Sequence, residues 1–369
     1  MPHRSIASAF ARPLTPAAQC LQVMRQTTVS TRLDLIEATG FSQSTVTRAV
    51  AALLDAGYIT RRPDLAEIGQ RGRPTIPLEI NPEDTMFAGI AVGTSETALG
   101  LYDLRGHLLR RTTVAASAAS VSQYDFLEHI IAALHRILTP MTRRLVSVGV
   151  TVSGEVSPEG VVEAPNLGWS GTDIAADLRY YFHVPVTVSG IAPAILAAER
   201  FTAPTAVITH PTLALFADDS LSTALEAPEG ITPLSTPGAP LTTSDLLREV
   251  RNLGVEAPTL ADAVAHPAAR PLLDARARGL AQLAVELVRR HGPHRLVIAG
   301  SAFTGDPEAP RLFAASVREA PGRFERRGRS VELRMMPSHA EIVHAITRAA
   351  ALDLVLRDPL QLKALPLST

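Results

Sequence analysis

The sequence predicts an N-terminal winged helix-turn-helix, mostly helical with a small β wing, followed by a larger α/β body. Three observations carry this. Three short helical patterns and two β-like runs come before Asn81-Pro82, a turn pair that marks a boundary. After it the chain alternates as β-β-β-α-β-α-β-α, the order of helices layered on a mixed sheet. A length of 369 residues suits two or three domains of roughly 100–200 residues each.

The elements follow in order. Residues 1–14 read as a flexible tail. TPAAQCLQVMRQ (15–26) carries Ala17, Cys20, Leu21 and Met24 at helical spacing. STRLDLIEATG (30–40) opens on a Ser/Thr cap and stops at Gly40, with Leu33, Ile36 and Ala38 available to the core. FSQSTVTRAVAALLDAG (41–57) is capped by Ser42, and Val46, Ala49, Val50, Leu53 and Leu54 form one apolar stripe. YITRR and TIPLEI then give the two wing strands. In the body, FAGIAVG (87–93), ALGLYDL (98–104) and RGHLLRRTTVA are strands, and 122–138 is a helix. LVSVGVTVSG (145–154) is a strand, DIAADLRYYF (173–182) a helix, VPVTVSG (184–190) a strand and APAILAAERF (192–201) a helix. VITHPTLALFA is the clearest strand pair of the Thr/Pro/Ser/Ala-rich stretch 202–243. A helix over 272–291 leads into strand RLVIAG (295–300), and a last helix spans about 338–356. No tandem sequence repeat is visible.

Composition narrows the function classes. Hydrophobic residues are 46% and charged residues 19%, enough for a packed core, while aromatics are only 4%, so Ala, Leu, Val and Ile must build it. One cysteine, Cys20, excludes a disulfide framework, a Cys-based zinc site and an iron–sulfur centre. No apolar run reaches the roughly 18 residues of a membrane span, and the N-terminus lacks a signal-peptide core. A cytoplasmic protein with no membrane partner is expected. Net charge is −1, divided as +3 over residues 1–82 and −4 over the rest. Arginine supplies nearly all the positive charge, so its abundance alone means little.

Placement means more. A helix-turn-helix reads the major groove with the N-terminal side chains of its second helix. Those positions are Ser42, Gln43, Ser44, Thr45, Thr47 and Arg48. Gln suits adenine and Arg guanine, while the hydroxyls suit phosphates. Arg61 and Arg62 follow as phosphate contacts. Arg71-Gly72-Arg73-Pro74 sets two guanidinium groups around a Gly that permits close backbone approach, as a wing entering a minor groove requires. A double-stranded DNA operator is the expected partner.

These segments, taken with those that follow, resemble the bacterial ROK family of repressors, open-reading-frame proteins and sugar kinases. TRLDLIEATGFSQSTVTRAVAALLDAGYI with RGRPTIPLEINP is similar to its regulator-type DNA-binding domain. AGIAVGTSETALGLYDLRGHLL is similar to its phosphate-loop hairpin, and VGVTVSGEVSPEGVVEAPNLGW to its PG-turn and APNLGW stretch. The resemblance implies two lobes of the actin-like ATPase class around a cleft. The divisions are 15–82 for the DNA-binding domain, 83–200 with a C-terminal segment 336–369 for lobe 1, and 201–335 for lobe 2. It also implies a homodimer or dimer of dimers.

Departures from the family pattern bear on activity. The phosphate-loop Asp is replaced by Ala91, and only Gly93 of the glycine pair remains. The catalytic base falls at Ile191, which cannot accept a proton. The zinc-binding cysteines are missing, and His210 alone is no substitute. No catalytic residue, metal or cofactor is therefore expected, and a sugar kinase is the disfavoured alternative, with a scaffold that never touches DNA as the other. Gly154, Asn166, Trp169 and Ser189 are the expected effector-binding residues, with Trp169 either stacking on the ligand or, with Pro165, closing the sheet edge as a structural corner. With the sugar-binding set largely gone, the expectation is a small non-sugar metabolite as effector, or no effector at all. Asp103 is read as a turn residue.

Overall fold

The computed structural model describes residues 9–13, 15–66, 76–202, 211–236, 240–320, 325–326, 329–336 and 338–363. Helices α1 (Pro16–Gln26), α2 (Arg32–Thr39) and α3 (Gln43–Asp55) precede a two-stranded wing of β1 (Ile59–Arg61) and β2 (Leu78–Ile80), paired antiparallel with Thr60 opposite Glu79. Thr31 caps α2 through a reciprocal box with Asp34, and Gly40 ends it at φ 70°. Leu35 is the fully buried residue of α2, and Ile36 packs half-buried against the same core as expected, but Leu33 is 60% exposed and Ala38 is exposed too. Leu33 lies two residues from Leu35, about 200° around the helix, so both cannot face inward.

The body contains the same sheet plan twice. In lobe 1, β3 (Thr85–Val92), β4 (Thr97–Tyr102) and β5 (Leu108–Val114) run antiparallel. After α4 (Gln123–Leu138), β6 (Arg144–Val152) joins β3 in parallel, and after α5 (Ile174–Phe182), β10 (Val186–Gly190) joins β6 in parallel. Three short strands, β7 (Glu155–Val156), β8 (Val162–Ala164) and β9 (Trp169–Thr172), form a separate sheet between β6 and α5. The chain then enters α6 (Ile191–Thr202).

Lobe 2 repeats the order with β11 (Thr212–Ala217), β12 (Leu221–Ala227) and β13 (Gly230–Leu234) antiparallel. Helices α7 (Thr243–Asn252), α8 (Leu260–Ala265) and α9 (Arg270–His291) lead to β14 (Arg295–Ala299), parallel to β11. Helices α10 (Ser301–Thr304) and α11 (Ala309–Glu319) and the small pair β15 (Glu325–Arg326) and β16 (Arg329–Ser330) lead to β17 (Glu332–Met335), parallel to β14. Then come α12 (His339–Arg357) and α13 (Pro359–Lys363). A structural duplication is present where the sequence shows no repeat. VITH of the expected strand pair falls outside the described residues; TLALFA is β11, and its antiparallel partner is β12.

The two lobes exchange their last helices. The expected first lobe ends with α6, yet α6 packs on the lobe 2 strands β11, β12 and β13. In return α12 packs on β3, β4 and β6 of lobe 1 and crosses α6. A helix covered on both sides is buried all round, and α12 buries Ile342, Ile346, Ala349, Ala350, Leu352 and Val355. Gly89 and Gly149 make this approach possible, because a Cβ on either would overlap the backbone oxygens of Thr347 and Ala350.

Candidate DNA interface and interlobe cleft

Helix α3 separates its faces cleanly. Val46, Ala49, Val50 and Leu53 are buried, whereas Ser42, Gln43, Ser44, Thr47 and Arg48 are exposed and Thr45 is half-buried. The Ser42 hydroxyl caps the helix by accepting from the Thr45 amide at 3.3 Å. It also bonds Ser44 Oγ at 3.0 Å and Thr45 Oγ1 at 2.9 Å. Arg48 donates only a long 3.4 Å bond to Ser44 O, so its guanidinium remains turned toward solvent. The result is an exposed polar edge at the positive end of a helix, a suitable seat for an anionic backbone.

The wing differs from expectation at one residue. Arg61 is exposed, but Arg62 is committed to protein partners: Nε and Nη2 reach Asp64 at 2.9 and 2.7 Å, and Nη1 pairs with Glu79. These carboxylates push the Arg62 pKa up and hold the Asp64 carboxyl below its usual range. Arg62 staples the hairpin here, its guanidinium taken by Asp64 and Glu79 where the sequence suggested a free phosphate contact. Arg71, Gly72 and Arg73 lie outside the described residues.

The winged helix is fused to the body by a shared core. Cys20, Leu21, Met24, Val50 and Leu53 join Tyr102, Leu104, Val146, Leu352, Val355 and Leu362 in one apolar cluster. At its edge Arg25 donates to Leu104 O at 3.0 Å, and Arg105 donates to Thr27 O and Thr28 O, both at 3.0 Å. Burial lowers the Arg25 pKa to about 9, helped by the nearby Arg348.

The chain before α1 is anchored as well. Phe10, expected in a flexible tail, is 5% exposed and sits in the core between the lobes. Its amide donates to the buried Asp353 carboxylate at 2.8 Å, and its carbonyl accepts from Arg200 at 3.3 Å. A lone aromatic in a Pro/Ala stretch carries no periodicity, so the sequence gives no sign of this burial.

Between the lobes lies a cavity of about 1590 Å³, lined by Gly154, Asn166 and Ser189 from lobe 1 and by Ser220, Thr223 and Ile231 from lobe 2. Gly154 admits the β8 backbone, which a Cβ would strike. Asn166 donates to Ser153 Oγ at 3.0 Å, and Ser153 Oγ lies 2.8 Å from Ser220 Oγ, a polar chain that crosses from one lobe to the other. A second crossing joins Thr94, after β3, to the Asp219 carboxylate. Burial raises the Asp219 pKa, and the Thr94 hydrogen bond partly opposes this. Ser189 is buried with its hydroxyl bonded to Gly190 O at 3.1 Å.

Trp169 is not in the cleft. It is 2% exposed and packs edge-on against Phe126 at 5.5 Å within the lobe 1 core, so it cannot stack on a ligand. Its alternation in β9 points the ring inward, and the structural reading of the APNLGW corner holds. Asp103 accepts from His107 N at 2.8 Å and closes the β4–β5 turn. Sequence reasoning missed Thr94, Ser153, Asp219 and Ser220. Each follows the C-terminal end of a central strand, where open α/β sheets place ligand sites, and that position was the available signal. Ala91 and Ile191 both lie in the interlobe apolar cluster. His210 is outside the described residues, and no group of three metal-capable side chains exists among those described. No helix among the described residues is long and apolar enough to cross a membrane.

A winged helix-turn-helix fused to two duplicated α/β lobes around a cleft defines a class that comparison makes specific. The ROK family model matches residues 87–209. The chain is 30% identical to "Transcriptional regulator Mb0495" of Mycobacterium bovis, over 87% of this chain and 85% of that one. A crystal structure of a ROK family transcriptional regulator, a homolog of the E. coli MLC protein, superposes with a TM-score of 0.72 at 17% identity. It covers 94% of this chain and 97% of its own. A ROK family glucokinase from Streptomyces griseus, solved with glucose and AMPPNP, superposes with a TM-score of 0.56 at 17% identity, covering 73% of this chain and 99% of its own. The chain belongs to the ROK family, with the build of its DNA-binding transcriptional regulators.

Proposed function

We propose that the protein binds an operator through α3 and the wing and carries no phosphoryl-transfer activity. The observation that carries this is the exposed row Gln43, Thr47 and Arg48 on a helix whose opposite face is wholly buried. In this reading Gln43, Thr47 and Arg48 read base edges, while Ser42, Ser44 and Thr45 hold phosphates with Arg61. Arg71, Gly72 and Arg73 enter the minor groove. A homodimer places two such units on a palindromic site, doubling the few base contacts one unit offers.

Kinase chemistry lacks its base, because Ile191 opens α6 within the apolar interlobe core and Ala91 lies beside it. The body serves instead as a sensor. Gly154, Asn166 and Ser189 line the cavity that would take a small metabolite, and the non-sugar reading rests on Ile191, an apolar residue of the interlobe core at the position of the family's sugar-directed base. The protein acts in the cytoplasm, where its DNA is.

A mobility-shift titration with the DNA upstream of the protein's own gene tests the reading. Arg48→Ala should weaken the specific complex by roughly 1–3 kcal/mol and relax one base preference. Equal loss on random DNA would make Arg48 a phosphate anchor only. ATP-dependent formation of a sugar phosphate would overturn the sensor assignment.

A further inference from the structure

We infer that the segment Ala9–Pro13 is a strap that links the state of the interlobe cleft to the DNA-reading helices. The inference rests on the regulator reading above for its consequence, but its structural core is independent of DNA. Phe10 is seated where elements of both lobes converge. Its apolar cluster contains Ile191 and Ile195 of α6, Ala214, Phe216 and Ala224 of the lobe 2 sheet, and Ile346 and Ala349 of α12.

Polar contacts fix the strap to the same elements. The Phe10 amide bonds Asp353 of α12 at 2.8 Å, and its carbonyl takes a bond from Arg200 of α6 at 3.3 Å. Arg200 is itself paired with Glu226 of β12 at 2.7 Å, and Arg357 lies 3.1 Å from Asp353. Ala9, the preceding residue, lines the cavity. A change in the spacing of α6, α12 and β12 therefore moves the seat of Phe10 directly. Phe10 holds φ at 62°, a left-handed conformation that a bulky side chain adopts only when its surroundings impose it.

The other end of the strap is the winged helix. Thr15 caps α1 and Pro16 begins it, so the stretch from Phe10 to Pro16 spans at most about 20 Å when fully extended. Proline at positions 13 and 16 removes slack. Helix α1 packs directly on α3, with Leu21 and Met24 in the cluster that holds Val46 and Val50. Displacement of Phe10 is thus delivered to the back of the reading helix by a tether of short reach.

A cross-lobe lock can stand in for an effector. Thr94→Cys with Asp219→Cys places two thiols at the existing lobe contact, so oxidation closes the lobes and reduction frees them. Hydrogen exchange of α1 and α3 is then followed in both states, together with binding of the upstream DNA. In a second protein three glycines are inserted after Pro13, leaving Phe10 and its partners unchanged. With the normal tether, locking should change exchange in α1 and DNA affinity by roughly two- to thirtyfold, the range of mutational coupling effects. With the insertion, the lock-dependent change should fall below about twofold on the same scale. A lock effect that survives the insertion would route the signal through the α1–α12 packing instead and overturn the strap. So would the absence of any lock effect in α1 with the normal tether. If no variant binds the DNA, the exchange arm still decides the strap, while the regulator reading fails on its own.

Discussion

The guanidinium of Arg25, in the last turn of α1, lies 3.9 Å from the centre of the Phe201 ring at the end of α6. Arg348 of α12 approaches the same ring at 4.3 Å. Phe201 is thus held between a residue of the winged helix and one of the body, and Gly106 leaves the room its ring needs. Replacing Arg25 by Ala removes a cation–π contact and the bonds to Leu104 O and Arg105 O. A loss of about 2–3 kcal/mol is expected in denaturant titration. Unfolding should also split into two transitions as the winged helix separates from the body. A single transition at the wild-type midpoint would show that the shared apolar cluster alone fixes the domains.

The wing arginines, adjacent in sequence, should behave differently. Arg61 is exposed, while Arg62 is held by Asp64 and Glu79. Each phosphate contact adds about 0.9 to the slope of log affinity against log salt. Arg61→Ala should therefore lower that slope by about 1. Arg62→Ala should leave it unchanged and loosen the hairpin, seen as faster amide exchange at Thr60 and Glu79. A slope change of about 1 for Arg62 as well would mean that DNA displaces the Asp64 carboxylate.

Much of this architecture is readable from sequence, and the reasons for the rest are physical. Ser42 as a cap, Gly40 as a stop and the 3.6-residue stripe of α3 are local signals, and they place the reading helix within a residue. Arg62 is different: its partner Glu79 is brought near only by the register that pairs Thr60 with Glu79. The second sheet hid its kinship with the first because β12 and β13 are only partly buried and carry Ser, Thr and Pro in place of a continuous apolar run. The seating of α12 on lobe 1 depends on Gly89 and Gly149, a long-range match that no window of sequence displays. Trp169 misled because aromatic residues in turns suit both stacking on ligands and closing cores.

Close packing of α12 on lobe 1 yields a direct test. Gly89 and Gly149 are opposite one another in the β3–β6 ladder, and both face the α12 backbone. Backbone atoms cannot rotate away as a side-chain end can, so Gly89→Ala or Gly149→Ala must push the helix outward. Overpacking of this kind costs typically 1–3 kcal/mol. The thermal midpoint of either variant should fall by several degrees, and α12 amides should exchange faster. Gly160→Ala is a suitable control for crowding, since nothing lies near its added methyl, although its φ of 89° makes the turn itself strained. Midpoints for Gly89→Ala and Gly149→Ala equal to wild type would show that α12 can shift without penalty.

The Thr94–Asp219 crossing should give the lobe contact a pH dependence. Asp219 is raised above the ordinary carboxylate value, chiefly by burial and further by the neighbouring Asp218, against the opposing Thr94 bond and Arg276. A carboxyl whose folded-state pKa exceeds its unfolded value favours folding most when protonated. That contribution is fully present below the unfolded value, near pH 4, and is lost as pH rises through the folded one. At neutral pH the ionised Asp219 is therefore a burden on the closed lobes. Asp219→Asn keeps an acceptor for Thr94 while removing the charge. The variant should melt above wild type at pH 7, and the difference should shrink as pH falls toward 4. A variant that melts below wild type at pH 7 would mean that the charged hydrogen bond to Thr94 outweighs desolvation, and that closure is favoured by ionisation.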